Sequence, residues 1–298
     1  MKKVLIIGGA SFDSIIHLPG LPDPVPQTIH SCIFHETTGS TGTGKAINLS
    51  KLGISTTLHA LIGADIYGEQ IKMSMQSDNL TFIYDIDPLG TERHVNLMDE
   101  TGRRISIFLT NSSFDPELEP EKFKPLIKEN DLIILNILNY TKKLIPLCMQ
   151  YQKPIWTDLH DYDGRNLYHQ DYIDAADYIF LSSDNLQDYR VTMKKIMQQG
   201  KKLVVCTHGN GGSTALTSSG EWIATPILDC YRMVDANGAG DSFSAGFIYG
   251  YLKDYPLQKC LQLATICAGL CITSQELSYD GLSPEILEQE YRKHYGDV

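Results

Sequence analysis

Short apolar runs alternate with amphipathic helical stretches along most of this 298-residue chain. The apolar runs have the length of buried strands, and they occupy residues 4–7, 57–62, 131–135, 154–158, 178–181 and 203–206. Apolar side chains with helical spacing occupy residues 45–52, 67–77, 120–128, 142–151, 185–199, 241–251 and 257–274. Strands that alternate with helices in this way are typical of parallel βαβ winding. The sequence therefore predicts an α/β fold built on a parallel sheet.

Two segments do not fit this winding, and both have the pattern of a small antiparallel sheet. Residues 27–34 form one candidate strand, after a stretch that contains four prolines. Residues 94–98 and 103–109 form a candidate hairpin around the turn D-E-T-G at 99–102. We expect these pieces to form a lid outside the main sheet. The edge strands of such a lid would expose unpaired backbone groups, so a homodimer through the lid is also expected.

The charge balance limits the partners that this chain can bind. With 36 acidic and 25 basic residues the formal charge is −11, and no run of Lys or Arg is long enough to follow a phosphate backbone. We therefore expect no nucleic-acid partner, and a polyanionic ligand would need a local positive device such as a helix N-terminus.

Cysteine usage and hydropathy indicate where the protein acts. The seven cysteines are an odd number without any C-x-x-C pair, which is typical of free thiols in a reducing compartment, and we expect the cytoplasm. The longest uncharged stretch, residues 260–275, contains too many polar residues to span a bilayer, so no membrane segment is expected.

The segment 235–241, D-A-N-G-A-G-D, carries the clearest chemical signal. Gly238 and Gly240 flank Ala239 where a helix begins, so backbone N–H groups and the helix dipole can converge on an anion. A carboxylate at this place would repel a phosphate unless it had a proton to accept or a metal to bind. Asp241 is therefore a candidate general base. The alternative is a tight turn with Asp241 as an ordinary N-cap.

Several motifs in sequence order resemble those of the ribokinase-like carbohydrate kinases, the PfkB family. The segment 235–241 resembles the family signature D-T-x-G-A-G-D, with Ala236 in place of Thr. Four other segments resemble its motifs: 8–13 its strand and aspartate, 39–53 its G-G-x-x-x-N helix, 63–68 its G-x-D-x-x-G, and 207–212 its T-x-G-x-x-G.

This resemblance implies a Rossmann-like α/β/α sandwich with a small β lid. It implies a core of residues 1–10, 38–90 and 111–298, and a lid of residues 11–37 and 91–110. The implied reaction is phosphorylation of an alcohol by ATP with Mg²⁺, and some members of the family also use a monovalent cation.

The resemblance also implies roles for individual residues. Asp241 would be the base, with Gly238, Ala239 and Gly240 as the anion hole. Asp13, Gly39, Ser40 and Gly44 would face the substrate. Thr207, Gly209 and Gly212 would lie along ATP, and Asp235 would shape the nucleotide end or a cation loop.

Three positions depart from the family pattern. Ser40 replaces a glycine, and Gly44 replaces the asparagine that contacts a sugar, for which Asn48 is a conceivable replacement. The family's N-x-x-E is absent, and Asp184 either supplies a metal-binding carboxylate or caps helix 185–199. Arg93 either contacts an anionic substrate or is a solvated charge of the lid.

The sequence thus predicts an ATP-dependent kinase that acts on a sugar or related small polyol. The alternatives are a nucleoside kinase of the same family and a catalytically weak member that senses a sugar or nucleotide.

Overall fold

The structure, a computed structural model, describes residues 2–30 and 32–296. Met1, Ser31, Asp297 and Val298, which fall within the predicted core and lid ranges, lie outside the described residues. The strands are β1 (Lys3–Ile7), β2 (Ser11–Leu18), β3 (Ile33–Gly39), β4 (Ser55–Ile62), β5 (Leu80–Ile86), β6 (Arg93–Asp99), β7 (Arg104–Thr110), β8 (Leu132–Asn136), β9 (Ile155–Asp158), β10 (Tyr178–Ser182), β11 (Leu203–Thr207), β12 (Ser213–Thr217) and β13 (Trp222–Thr225).

The helices occupy the intervals that the apolar spacing predicts, with two additions. They are α1 (Thr41–Lys51), α2 (Ile66–Ser74), α3 (Pro120–Glu129), α4 (Asn139–Gln150), α5 (Gln170–Ala175), α6 (Tyr189–Met197), α7 (Ala239–Leu252), α8 (Leu257–Cys271) and α9 (Pro284–Tyr295). The additions are α5 and α9. Within the two described ranges, no helix is both long and apolar enough to cross a membrane.

The main sheet has nine strands in the order β13-β12-β11-β10-β9-β8-β1-β4-β5. The strands from β11 to β5 run parallel, and β12 and β13 extend the sheet antiparallel. All six apolar runs of the sequence are strands of this sheet, as predicted. Because parallel strands end at the same edge, the carboxyl ends of β9, β10 and β11 bring Asp158, Ser182 and Thr207 to one side of the sheet.

Alternation along β1 shows how the sheet divides the core. Val4 and Ile6 pack into one buried cluster with α1, α7, α8 and α9, whereas Leu5 and Ile7 pack into the other with α3, α4, α5 and α6. Helices therefore cover both faces of the parallel sheet, as its backbone and side chains require. The predicted α/β/α sandwich is confirmed.

A second, four-stranded sheet has the order β3-β2-β6-β7 and contains the hairpin predicted from the sequence. The sheet is mixed and not antiparallel throughout as expected, because its central strands β2 and β6 pair in parallel. The hairpin turn is closed by Asp99, whose Oδ1 accepts hydrogen bonds from the backbone N–H groups of Thr101 and Arg103 at 2.9 and 3.0 Å. We call this small sheet the lid sheet. That it is a lid remains a prediction.

The strand expected at residues 27–34 begins only at Ile33 and continues to Gly39. The reason lies in the pairing with β2, which ends at Leu18 and pairs His17 with Ile33. Residues 27–30 therefore extend past the end of their partner strand and gain no ladder hydrogen bonds from it.

A buried histidine joins two acidic residues inside the lid sheet. The Nδ1 atom of His94 lies 3.2 Å from Asp13 Oδ1, and its Nε2 atom lies 3.2 Å from Glu92 Oε1. Only the imidazolium form presents a proton to both carboxylates. Burial alone would lower the pKa of His94, but Asp13 and Glu92 outweigh burial and raise that pKa to about 9.

We expect replacement of His94 by Gln to change how stability depends on pH. In the wild type the histidine pKa is about 9 when folded and roughly 6.5 when unfolded. The stability from this proton is complete below pH ~6.5 and lost as the pH rises through ~9, by at most roughly 3 kcal/mol at about 1.4 kcal/mol per pKa unit.

Urea unfolding of both proteins at several pH values tests this expectation. The free energy of unfolding of the wild type should fall more steeply with rising pH than that of His94→Gln. Parallel curves for the two proteins across this range would show that His94 is neutral in the folded state.

Candidate active site

Helix α7 begins directly after Gly238, whose φ of 79° is in the left-handed region that favours glycine. A Cβ atom at this position would lie 2.8 Å from Leu277 Cα, so a side chain there would also collide with backbone. The first i→i−4 bond of the helix runs from Ser242 N to Gly238 O at 2.9 Å. The backbone N–H groups of Gly240 and Asp241 therefore have no acceptor within the helix. Gly240 is exposed, and nothing lies within 4 Å of the place where its Cβ would be.

The side chain of Asp241 faces a buried lysine. The Nζ atom of Lys45 lies 2.6 Å from Asp241 Oδ1 and 3.0 Å from Asp158 Oδ2. The lysine side chain is only 1% exposed, and the two carboxylates are 12% and 11% exposed. One cation from α1 thus joins the end of β9 to the start of α7.

Burial and charge have opposite effects on these three groups. Burial alone would lower the pKa of Lys45, but Asp241 and Asp158 outweigh it and raise that pKa above its ordinary value. Burial alone would also raise the pKa of Asp158, but Lys45 and His160 hold it below its usual range. Burial raises the pKa of Asp241, and Lys45 offsets only part of that increase. The lysine remains charged, and Asp241 is the more basic of the two carboxylates.

Gly44 is the point at which α1 approaches the Asp241 carboxylate. A Cβ atom on Gly44 would lie 2.5 Å from Asp241 Oδ2, so any side chain there would displace the acid. The glycine that replaces the family's asparagine is therefore matched to the position of Asp241. Lys45, which we did not identify from the sequence, is the next residue, and its signal is a lone lysine among the small residues that begin α1.

The other end of the same segment contacts the acid of the lid sheet. A Cβ atom on Gly39 would lie 2.0 Å from Asp13 Oδ2, so the backbone of β3 approaches this carboxylate closely. Asn96 Nδ2 lies 3.4 Å from the same oxygen, and His94 faces the other one. Residues 39–44 thus contact Asp13 at one end and Asp241 at the other. His94 and Asn96 were also missed, because a strand pattern does not show which polar side chains share a face with Asp13.

Ser40, between these two contacts, has φ 75° and ψ 155°. Only glycine adopts this region without strain, which explains why the family pattern has glycine here. The serine precedes α1 and its carbonyl accepts a bond from Gly44 N at 3.0 Å.

Two expected substrate contacts have other partners. Asn48 is fully buried, and its amide donates to Gly44 O and Leu277 O, both at 2.8 Å, while its Oδ1 accepts from Ser242. With its amide hydrogens and its oxygen bonded internally, Asn48 packs α1 against α7 and does not replace the missing sugar contact.

Arg93 is the second expected substrate contact that has another partner. Its guanidinium lies 3.8 Å from the ring centre of Tyr67, which also contacts Phe12. Phe12 and Asp13 are consecutive in β2 and leave the strand on opposite faces. Arg93 is therefore held by an aromatic ring next to α2, on the face of the lid sheet away from Asp13.

The nucleotide-side candidates lie at the carboxyl edge of the main sheet. Thr207 ends β11, and the chain then turns through Gly209 and Gly212, with φ of 51° and 85°. A Cβ atom on Gly212 would lie 2.2 Å from Thr225 O, so this position requires glycine, whereas Gly209 has open space around it. His208, within the turn, lies 3.0 Å from Thr214 Oγ1.

Asp184 follows β10 at the same edge and is exposed. The helix expected at 185–199 begins only at Tyr189, and its N-cap is Asp188, which accepts from Arg190 N and Val191 N. Asp184 therefore does not cap this helix. Asp235, the last candidate, is buried, and its Oδ1 accepts from Asn237 N at 2.7 Å.

Comparisons with known proteins identify the family to which this sequence and fold belong. Residues 1–283 match the family described as pfkB family carbohydrate kinase. The chain is 29% identical over 277 residues to acarbose 7(IV)-phosphotransferase of Actinoplanes sp., covering 91% of this chain and 92% of that protein. It is 22% identical to a nucleoside kinase of Methanocaldococcus jannaschii, covering 92% of each.

A solved structure of a microbiome-derived acarbose kinase has the same fold. It superposes with a TM-score of 0.86 at 26% identity, covering 97% of this chain and 98% of that one. Together with the match over residues 1–283, this shows that the chain belongs to the pfkB family of carbohydrate kinases.

Proposed function

We propose that the protein transfers the γ-phosphoryl group of ATP to a hydroxyl of a sugar or related polyol, with Asp241 as general base. The observation that carries this proposal is the position of Asp241, a largely buried carboxylate with a raised pKa in the first turn of α7. It lies beside backbone N–H groups that have no acceptor within the helix. A base and an anion-binding helix end in one place are what phosphoryl transfer to an alcohol needs.

In this mechanism each group has a separate task. Asp241 removes the proton from the attacking hydroxyl, and the amides of Gly238, Ala239 and Gly240 stabilise charge on the transferring group. The Ala239 amide, which donates to Ala236 O at 3.3 Å, exchanges that bond for the phosphate. Lys45 keeps Asp241 oriented through the 2.6 Å contact and opposes the rise of its pKa. Asp158 shares the positive charge of Lys45, so the lysine offsets only part of the negative charge of Asp241.

The carboxyl edge of the sheet fits ATP and Mg²⁺. Gly209 gives the loop after Thr207 open backbone, which suits a nucleotide, while Gly212 is packed closely against Thr225 and fixes the turn. Asp235 remains a candidate for the nucleotide end or a monovalent-cation loop. Asp184 offers an exposed carboxylate without an ion pair to any residue in the described ranges. Oxygen ligands of this kind suit Mg²⁺. When bound, Mg²⁺ neutralises charge on the phosphates.

The substrate side supports an uncharged, hydroxyl-rich acceptor. Asp13 presents a carboxylate next to Gly39, and Ser40 and Gly44 line the path from there to Asp241. The two relatives named for acarbose, a carbohydrate, support a sugar, and the relative named nucleoside kinase keeps that alternative open.

A panel of sugars, oligosaccharides and nucleosides, assayed for ADP release with Mg²⁺ and K⁺, distinguishes these candidates. Turnover of a sugar supports the proposal and turnover of nucleosides alone supports the alternative. Ligand binding without ADP release above background would identify a sensing protein.

The free thiols support a reducing, cytoplasmic location. All seven cysteines are unpaired, and five of them are buried.

We expect Asp241→Asn to lower kcat by about 10²–10⁴, the usual range for loss of a general base. The amide keeps the shape of the side chain but cannot take the proton. ATP binding, measured by calorimetry, should change little. Full retention of kcat in this variant would refute the assignment of the base.

We expect Lys45→Met to move the acidic limb of the kcat/KM profile upward by about 1–3 pH units, the range for loss of a neighbouring opposite charge. Without the ammonium, two buried carboxylates face each other, so the pKa of Asp241 rises and the base stays protonated to a higher pH. Lys51→Met is the matched control, because Lys51 lies on the same helix but is partly exposed and contacts Tyr279 O instead.

The double variant Lys45→Met/Asp158→Asn separates charge from packing. Removing the second carboxylate should move the acidic limb back toward that of the wild type. If Lys45→Met keeps the wild-type pH profile, the lysine does not control the ionisation of the base.

We also propose a homodimer through the lid sheet. Strand β7 is an edge strand, and Ile105 and Ile107 on it are 40% and 45% exposed. Light scattering should give a dimer for the wild type and a monomer for Ile107→Lys, because a charge on the edge opposes strand pairing. Ile29→Lys is the control, because Ile29 is also 45% exposed but lies outside the strands. A monomeric wild type at micromolar concentration would exclude this interface.

A further inference from the structure

Two half-buried histidines of the lid sheet and a buried aspartate of the core meet at one point. His17 is on β2, His35 is on β3, and Asp235 lies in the segment before α7. One ring nitrogen from each histidine and one carboxylate oxygen of Asp235 all lie within 4.8 Å of one another. His17 Nε2 is 3.4 Å from Asp235 Oδ2. The reaction proposed for Asp241 uses none of these contacts.

The atoms that face this point have no hydrogen-bond partner. They are His17 Nε2, His35 Nδ1 and Asp235 Oδ2, each buried without a partner among the described residues. The side chain of Asp235 is 1% exposed. His17 Nε2 and Asp235 Oδ2 face each other at 3.4 Å without forming a hydrogen bond, and His35 Nδ1 has no partner at all among the described residues. Buried polar atoms left without hydrogen bonds are rare and costly, and three of them at one point indicate a site for a ligand.

The remaining atoms of two of these side chains are held by hydrogen bonds that orient them toward the cluster. His35 Nε2 lies 3.2 Å from Gln275 O, a carbonyl that can only accept, so Nε2 carries a proton and the lone pair of the neutral ring is on Nδ1. Asp235 Oδ1 accepts from Asn237 N at 2.7 Å, which leaves Oδ2 free. A histidine that donates its outer N–H to a backbone carbonyl is the usual arrangement around a bound metal.

We propose that His17, His35 and Asp235 bind a divalent transition-metal ion of the Zn²⁺ type. Imidazole ligands favour Zn²⁺, Co²⁺ or Ni²⁺ over Mg²⁺ and over alkali cations, which prefer oxygen. Metal–ligand bonds of about 2.0–2.2 Å in a tetrahedral site place neighbouring ligand atoms roughly 3.3–3.5 Å apart. The 3.4 Å between His17 and Asp235 matches this spacing, and small side-chain movements bring in His35.

The surroundings allow a fourth ligand and limit the affinity. A cavity of about 190 Å³ beside the cluster is lined by His17 and Asp235, and it offers an entry path and room for water. Arg104 is the nearby positive charge, and its Nη1 atom is 3.4 Å from Asn237 Oδ1. This guanidinium weakens binding of a cation, whereas the Asp235 carboxylate supports it.

The site would connect the lid sheet to the core. Two ligands come from adjacent strands of the lid sheet, and the third is three residues before Gly238, where the proposed anion hole begins. A bound metal therefore fixes the position of the lid sheet relative to the start of α7. The metal site does not depend on the proposed kinase reaction, because its binding can be measured without turnover.

The test is titration of the chelator-treated protein with Co²⁺, followed by visible absorption, and competition with Zn²⁺. We expect one equivalent to bind and Zn²⁺ to raise the melting temperature. His17→Gln and His35→Gln should each weaken Co²⁺ binding by about 100-fold or more, beyond the 10–100-fold typical of outer-shell changes. His30→Gln, an exposed histidine of the same region, should bind like the wild type.

Two further measurements keep the result unambiguous. Cys32→Ser/Cys230→Ser removes the exposed thiols, and binding should persist in it because the site contains no cysteine. If a histidine variant does not fold, X-ray absorption of the wild-type Zn²⁺ complex should show two imidazole ligands and no sulfur. Equal Co²⁺ affinity in His17→Gln/His35→Gln and the wild type, sulfur ligation, or no binding at all would overturn the proposal.

Discussion

The buried ammonium of Lys45 joins three parts of the protein that are far apart in the sequence. It holds Asp158 at the end of β9 and Asp241 at the start of α7, while its own helix, α1, begins where β3 leaves the lid sheet. A buried cation between two largely buried carboxylates fixes their positions more firmly than exposed ion pairs do, because removing it would leave two largely buried charges unpaired. The orientation of the proposed base therefore depends on a residue that does not itself react.

Much of the fold could be predicted because its signals are local. The apolar runs that became β1, β8, β9, β10 and β11 are short and bounded by turns, and the hairpin β6–β7 has Gly102 and Asp99 at its turn. The start of β3 could not be predicted, since it depends on where β2 ends and not on the residues of β3 themselves. The start of α6 was missed for a similar reason, because Asp184 and Asp188 are equally good caps and only the packing selects one.

The candidate site was predictable where glycine geometry determines it and not where charges meet across the fold. Gly238, Gly39 and Gly44 stand where a Cβ atom would collide with backbone or carboxylate, so the pattern of small residues contained that information. The contact between Lys45 and Asp241 joins residues 196 positions apart, which no spacing rule detects. Asn48 was expected to face the substrate, but its position one turn after Gly44 directs its amide into the interface of α1 with α7 instead.

The histidine between Asp13 and Glu92 also affects the energetics of folding as a whole. Between pH ~6.5 and ~9 the unfolded chain carries this imidazole in its neutral form, whereas the folded protein holds the imidazolium. Folding therefore takes up a proton from the buffer. The heat measured in a calorimeter then includes the ionisation enthalpy of that buffer, so unfolding enthalpies from phosphate and from an amine buffer differ for the same protein at the same pH.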